Sequence, residues 1–274
     1  MTVRYGFRGG SSDAVAELTD QLASLADTAS GELGAVAEEL FSVAGTLRGE
    51  GALRRFATDS SVPAEARTGL VEELFSAKVT GGTLDLVRSA VQHRWSRARD
   101  LADALEHLGV IAAVRSTGSD TEKLVGELFS LRSLVDDHAE LRTALSDPAR
   151  PVVAKQELLS SLLDGKALAA TVLLARQSLT GGHRSVSVAL EEYQEVAADV
   201  HGENVATVRV ARELSEADTQ RLAESLSRQY GRPVHLNVVV DPEVVGGIRV
   251  EIGDDVIDGT VSSRLADARR LLAG

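Results

Sequence analysis

Six histidines, His93, His107, His138, His183, His201 and His235, are the side chains best suited to hold a metal ion or to move a proton near neutral pH. Their spacing supports neither role. No His-Glu-x-x-His occurs and no second ligand set stands beside any of them, so surface or loop positions are expected. The Gly165-Lys166 pair lacks both the upstream glycine of a phosphate-cradling loop and the Ser or Thr that would follow the lysine. Adjacent carboxylates at Glu38-Glu39, Glu72-Glu73 and Glu191-Glu192 would point about 100° apart on a helix, which suits a solvated face better than shared acid-base work. No Gly-x-Ser-x-Gly elbow is present, and the absence of cysteine excludes a thiol nucleophile, a disulfide and a thiolate zinc site. These patterns predict no catalytic residue, no metal site and no cofactor. Gly246-Gly247 leaves two readings open: a close backbone approach by a ligand or partner, or a bend leading into a strand.

Composition narrows the partners. Forty-one acidic against 29 basic residues leave a net charge of -12, a field that repels phosphate backbones and anionic headgroups. Only 3% of residues are aromatic, so platforms for stacking bases are few, and nucleic-acid binding is disfavoured on both grounds. The start, MTVRYGFRGGSSD, has no apolar stretch of the secretory kind. The longest apolar run, Ala167 to Ala175, is about half of the roughly 20 residues a membrane helix needs, so no direct membrane insertion is expected.

The elements that must position any site fall into two regimes. From Asp13 to about Val200 apolar residues recur at helical intervals, first as Val15, Leu18, Leu22 and Leu25, then, past Gly31, as Leu33, Val36, Leu40, Val43 and Leu47. Ser61 and Pro63 open a third helix. An internal duplication with an offset of 88 residues runs through this region without gaps. Glu39-Leu40-Phe41-Ser42 returns as Glu127-Leu128-Phe129-Ser130, Leu53-Arg54 as Leu141-Arg142, Asp59 as Asp147 and Pro63 as Pro151. A ladder at Leu84, Val91, Ala98, Leu105 and Ala112 maps onto Val172, Leu179, Val186, Tyr193 and Val200. Chance matches between Ala/Leu-rich helices are the competing explanation, but the recurrence of turn residues argues for two modules sharing a fold. The basic stretch His93-Arg94-Trp95-Ser96-Arg97 duplicates onto Gly181-Gly182-His183-Arg184, which makes a helix break a better account than an acidic-partner patch.

Beyond His201-Gly202 the period changes from 3.6 to 2. Val205 to Val210 alternates as a strand, Ser215 and Asp218 cap a helix carrying Leu222, Leu226 and Tyr230, and Val234, Leu236, Val238 and Val240 form a second strand. Asp241-Pro242 turns the chain, Gly246-Gly247 leads into a strand with Ile248, Val250 and Ile252 on one face, and Gly253-Asp254 closes a hairpin. Asp258-Gly259 makes another turn, and Val261, Leu265, Ala268 and Leu272 recur at helical spacing. The expected architecture is mainly α: a first helical module over 1–115, a second over 116–202 that duplicates about 36–112, and a small α/β domain over 203–274.

Asp241-Pro242, Gly246-Gly247, Gly253-Asp254, Asp258-Gly259 and Leu265, in that order and spacing, resemble the C-terminal segment of the delta subunit family of bacterial ATP synthases, called OSCP in mitochondria. Pro151, Lys155, Leu158 and Leu162 resemble a Pro-led helix of that family's bundle, and Gly182-His183-Arg184 approximates its Gly-Arg junction. The resemblance implies a non-catalytic peripheral-stalk subunit whose bundle binds the N-terminal ends of the alpha subunits and whose C-terminal domain binds the membrane-anchored stalk subunit b. One copy per complex is implied, at the cytoplasmic face of the bacterial plasma membrane. The chain exceeds the usual family length by the duplicated module, as in enlarged actinobacterial members. Val15, Leu18 and Leu22 are candidates for a groove that accepts a partner helix, and Leu265 and Leu272 for the stalk contact. The alternative is a soluble helical adaptor unrelated to ATP synthase.

Overall fold

The computed structural model of the chain describes residues 6–28, 30–202, 204–242, 244–253 and 255–261. Two compact units divide it, Met1–Ala197 and Ala198–Gly274. The expected helical region followed by a small α/β domain is what forms.

Helices run in the order α1 (Gly10–Thr28), α2 (Leu33–Gly49), α3 (Gly51–Thr58), α4 (Ala64–Phe75), α5 (Gly81–Gln92), α6 (Asp100–Arg115), α7 (Thr121–Asp137), α8 (Ala139–Ser146), α9 (Val152–Leu163), α10 (Ala169–Gln177) and α11 (Val186–His201). Shifting α2, α3 and α4 by 88 residues reproduces the bounds of α7, α8 and α9, and the shifted start of α5 is the start of α10. The same shift carries α1 onto α6 and α6 onto α11 to within two residues at each start. Helix α6 therefore closes the first repeat and opens the second.

Three of the recurring identities have the same task in both repeats. Glu39 accepts from the Thr80 amide (3.0 Å) and the Thr80 hydroxyl (2.8 Å), capping α5 from a distance. Glu127 accepts from the Leu168 amide (2.9 Å) and the Thr171 hydroxyl, capping α10 alike. A carboxylate at a helix N-terminus satisfies orphan amides and complements the dipole, contributing roughly 0.3–1 kcal/mol. Arg54 donates to the carbonyls of Leu47 and Arg48 at the end of α2 (both 2.9 Å), and Arg142 donates to Asp136 at the end of α7 (2.6 Å). The Asp59 and Asp147 side chains accept from the Ser61 and Ala149 amides at 2.8 and 2.9 Å, so the same Asx turn is made twice.

The structure refines three expectations. The short helices α3 and α8 interrupt what reads as one connection, because eight residues give too little periodicity to register. Pro63 stands at the cap position before α4, not inside its first turn. The seven-residue ladder does not follow one helix, since Ala98 lies in the turn between α5 and α6.

Helix α6 is buried on every side: Leu101, Leu105, Leu108, Val110 and Val114 are each 0% exposed. A helix with apolar residues on all of its faces belongs in a core, and each such side chain contributes about 1.5–3 kcal/mol on burial. The two outer helices differ at equivalent positions. Asp13, Glu17 and Asp20 stand exposed on α1 where α6 has Leu101, Leu105 and Leu108, and exposed Glu195 stands on α11 where α6 has His107. Charged outer faces terminate a repeat array, and these close it at both ends.

The second unit pairs β1 (Asn204–Val210) in parallel with β2 (Val234–Val240) through helix α12 (Glu216–Tyr230). Strand β3 (Ile248–Ile252) runs antiparallel to β1 and forms a hairpin with β4 (Asp255–Asp258), giving the order β2-β1-β3-β4. Ser215 caps α12 by accepting from the Asp218 amide, as its spacing predicts. Ala206, Val208, Val210, Leu226, Val234, Val250 and Ile252 form the core of this unit. The predicted terminal helix with Leu265, Ala268 and Leu272 lies outside the described residues.

Close packing of α2 on α6 requires Gly109. A Cβ there would stand 2.6 and 2.8 Å from two ring carbons of Phe41 and 3.3 Å from the Ala37 carbonyl. Gly109→Ala is expected to destabilise the helical unit by about 1–3 kcal/mol, since overpacking outweighs the helix propensity gained. Urea unfolding checks it: an unchanged or higher midpoint would show that Phe41 can move aside freely.

Candidate functional site

One cluster of chemistry-bearing residues in the helical unit gathers around a carboxylate that periodicity conceals. Glu106 is 1% exposed on α6 and accepts from Gln177 Nε2 (2.9 Å), Tyr193 Oη (2.8 Å) and the Gly182 amide (3.1 Å). Arg48, from the last turn of α2, pairs with Glu106 and bonds Asp103 at 3.0 Å. His183 Nδ1 lies 3.1 Å from Glu192 Oε2, and its ring meets Tyr193 edge-on at 5.4 Å between centroids. Burial pushes the Glu106 carboxyl up, but the Arg48 guanidinium and the donors Gln177, Gly182 and Tyr193 outweigh it and hold the group below the usual glutamate value. Burial likewise pushes His183 down, and Glu192 and Glu106 reverse the sign. The carboxylate faces protein donors and no solvent, so its arrangement stabilises a charge without presenting it to a substrate. Among the described residues no group of three or more His, Asp or Glu is placed to hold a metal ion.

Sequence reasoning missed this cluster. Glu106, beside Asp103 and His107 in the otherwise apolar stretch Leu101–Val114, was the available signal, but its partners lie 58, 71 and 87 residues away. The expectation of surface or loop histidines fails at His107, which is 4% exposed on α6 because that helix has no outer face. His183 does lie in a loop, yet its side chain is only 9% exposed.

The family-motif residues form a second constellation. Asp241 donates its amide to the Val210 carbonyl (2.8 Å) and starts the turn through Pro242. Gly247 has φ +81°, and a Cβ on it would collide with the Gly259 carbonyl and lie 2.9 Å from Thr260 Cα. The close approach at Gly246-Gly247 is thus made by the chain's own backbone. Gly259 donates to Ile248 (2.9 Å) and Val261 to Gly246 (3.0 Å). Asp258 accepts from the Thr260 amide (2.9 Å) and hydroxyl (2.7 Å), bonds that hold its carboxyl below the ordinary aspartate value. Gly253 makes the β3-β4 turn. The motif spacing is that of a folded-back strand pair fastened at both ends. Asp254, Leu265 and Leu272 lie outside the described residues. Val15, Leu18 and Leu22 are 4%, 0% and 0% exposed, covered where α1 packs on α5 and α6.

The His107 environment generates a pH dependence. Burial lowers its pKa from 6.5 to about 4, with Glu106 opposing. The neutral form is favoured in the folded state, so this contribution is complete above pH 6.5 and is lost as pH falls toward 4. The loss approaches about 3 kcal/mol at the lower limit. Replacing His107 by Gln should flatten that part of the stability profile, measured by denaturant unfolding between pH 7 and 4. Parallel wild-type and variant profiles would rule it out.

A family model described as ATP synthase delta (OSCP) subunit matches residues 110–272, which begin inside α6 and span the second repeat and the α/β unit. The ATP synthase subunit delta of a Nocardioides species is 55% identical over 268 residues, covering 97% of this chain and 97% of its own. That of Streptomyces coelicolor is 41% identical over 272 residues, covering 98% and 99%. That of Nocardia farcinica is 41% identical over 237 residues, covering 86% and 88%. A chain of the Toxoplasma gondii mitochondrial ATP synthase hexamer aligns at 20% identity and a TM-score of 0.36, covering 60% of this chain and 96% of that one. With a family match over more than half its length and relatives spanning nearly all of it, the chain belongs to the ATP synthase delta (OSCP) subunit family.

Proposed function

We propose that this chain is the peripheral-stalk subunit that links the catalytic head of a proton-translocating F-type ATP synthase to the membrane-anchored stalk subunit b and resists rotor torque. The observation that carries this reading is 55% identity to an ATP synthase subunit delta across 97% of both chains. A general adaptor would not share sequence along the whole length of such a subunit. The helical modules, 1–115 and 116–202, bind the N-terminal ends of the alpha subunits, and the domain over 203–274 binds subunit b. One copy serves each complex, held peripherally at the cytoplasmic face of the plasma membrane. Among the described residues no helix is long and apolar enough to cross a membrane; on this reading subunit b supplies the attachment.

The subunit has no active site of its own on this reading. The carboxylate at the centre of its ionisable cluster, Glu106, is closed to solvent and accepts from several protein donors. A stator needs bonds that resist deformation more than groups that react, and a cluster of this kind supplies them. Val15, Leu18 and Leu22 are core in the free chain, and α1 would have to shift for them to meet a partner. Leu265 and Leu272 stand as the proposed stalk contacts.

Two attachments imply separable losses. A chain ending at Gly202 should still pull down the alpha subunits while its capture of subunit b falls at least tenfold, roughly 1.4 kcal/mol or more of the stalk contact. Circular dichroism of the same protein should retain the helical signal. Undiminished capture of subunit b by the truncated chain would move the stalk contact into the helical modules.

A further inference from the structure

We propose that Glu106 is a positioning residue that pins the two helical repeats into one rigid body. Its carboxylate is the point where the repeats meet. Arg48 reaches it from α2 of the first repeat, while Gln177, the Gly182 amide and Tyr193 reach it from α10, the following loop and α11 of the second. Apolar burial of α6 holds both repeats together but is non-directional. Several donors converging on one charged acceptor add direction, because each charge-assisted bond weakens when its geometry is turned. The local packing is built to the same point: a Cβ on Gly181 would overlap Glu106 Oε1, and one on Gly182 would lie 3.3 Å from Arg48 Nη2 and 3.2 Å from Asp103 Oδ1.

The internal repeat argues that this carboxylate serves the junction and not the fold of a repeat. Positions equivalent to Glu106 are Leu18 on α1 and Gln194 on α11, so only the shared helix carries an acid there. The equivalent of Arg48 is Asp136, which accepts instead from Ser187 Oγ (2.6 Å), and the α7–α11 charge pair of the second repeat, Arg132 with Glu191, uses the exposed equivalent of Asp103 and not the equivalent of Glu106. A feature needed to fold either repeat would recur 88 residues on, as the Glu39, Arg54 and Asp59 contacts do. That such rigidity transmits torque rests on the stator reading, whereas the pin itself is a property of the isolated chain.

The chain has no cysteine, so spin labels can be placed at will. Ser60→Cys and Ala149→Cys put them on exposed turns of the first and second repeats. Electron-electron resonance on the full chain should give one narrow distance distribution in the otherwise wild-type protein. Arg48→Met should at least double its width with the helical circular dichroism retained, and Arg48→Lys, which keeps a cation in reach, should restore most of the narrowing. The isosteric Glu106→Gln keeps hydrogen-bonding capacity and should broaden the distribution less than Arg48→Met. Narrow distributions in both Arg48→Met and Glu106→Gln would overturn the proposal, including when their melting temperatures fall, since that result assigns the cluster to stability alone. If Arg48→Met does not fold, the width in Glu106→Gln decides by itself.

Discussion

A helix with no solvent-facing side accepts an ionised carboxylate only where the fold supplies the hydration that water would otherwise provide. Helix α6 meets that condition at Glu106, whose oxygens accept from Gln177, Tyr193 and the Gly182 amide beside the Arg48 guanidinium. An isolated buried charge costs several kcal/mol, so the carboxylate constrains the structure around it. The end of α2, the α10-α11 loop and the inner face of α11 must all arrive at one place. Gly181, Gly182 and the edge-on contact of His183 with Tyr193 follow from that requirement.

The repeat architecture explains why such a helix exists. Two modules sharing α6 have one helix fewer than two separate bundles would, and the shared helix receives apolar neighbours from both. Its polar residues Asp100, Glu106 and His107 are accordingly buried, whereas α1 and α11 carry exposed acids at positions where α6 carries buried side chains. Those acids contribute to the net charge of -12 and leave no second apolar face on which a third module would stack. Of the three helices at equivalent positions of the repeat, one is core and two are ends.

In the α/β unit the constraint is backbone approach, not charge. Gly247 lets the chain lie against Gly259 and Thr260, and the Asp258 turn holds that return in place. The strands Ile248–Ile252 and Asp255–Asp258 are thereby fixed to β1 on one side and left at the sheet edge on the other. For a member of a membrane-associated complex with no spanning helix among its described residues, a densely pinned helical unit and a separate sheet unit are the features that a mechanical link requires.

The change from a helical region to a small α/β domain, the 88-residue repeat and its turns, the cap of α12 and the β3-β4 hairpin were readable in the chain, whereas the short helices α3 and α8 were not. Each readable feature depends on neighbours within a few residues, or on comparing the chain with itself, and local geometry then has few options. The meaning of the repeated residues was not readable: Glu39 and Glu127 are recognisable as recurring but not as caps of helices 41 residues downstream. Nor could the stripe Val15, Leu18 and Leu22 be divided between core and groove, because helical spacing is the same for both. Tertiary packing decided that it is core, that α6 serves two repeats, and that Glu106, His107 and His183 are enclosed. Periodicity reports which face of a helix is apolar, and only the assembled neighbours determine whether a polar residue on another face meets water or a partner.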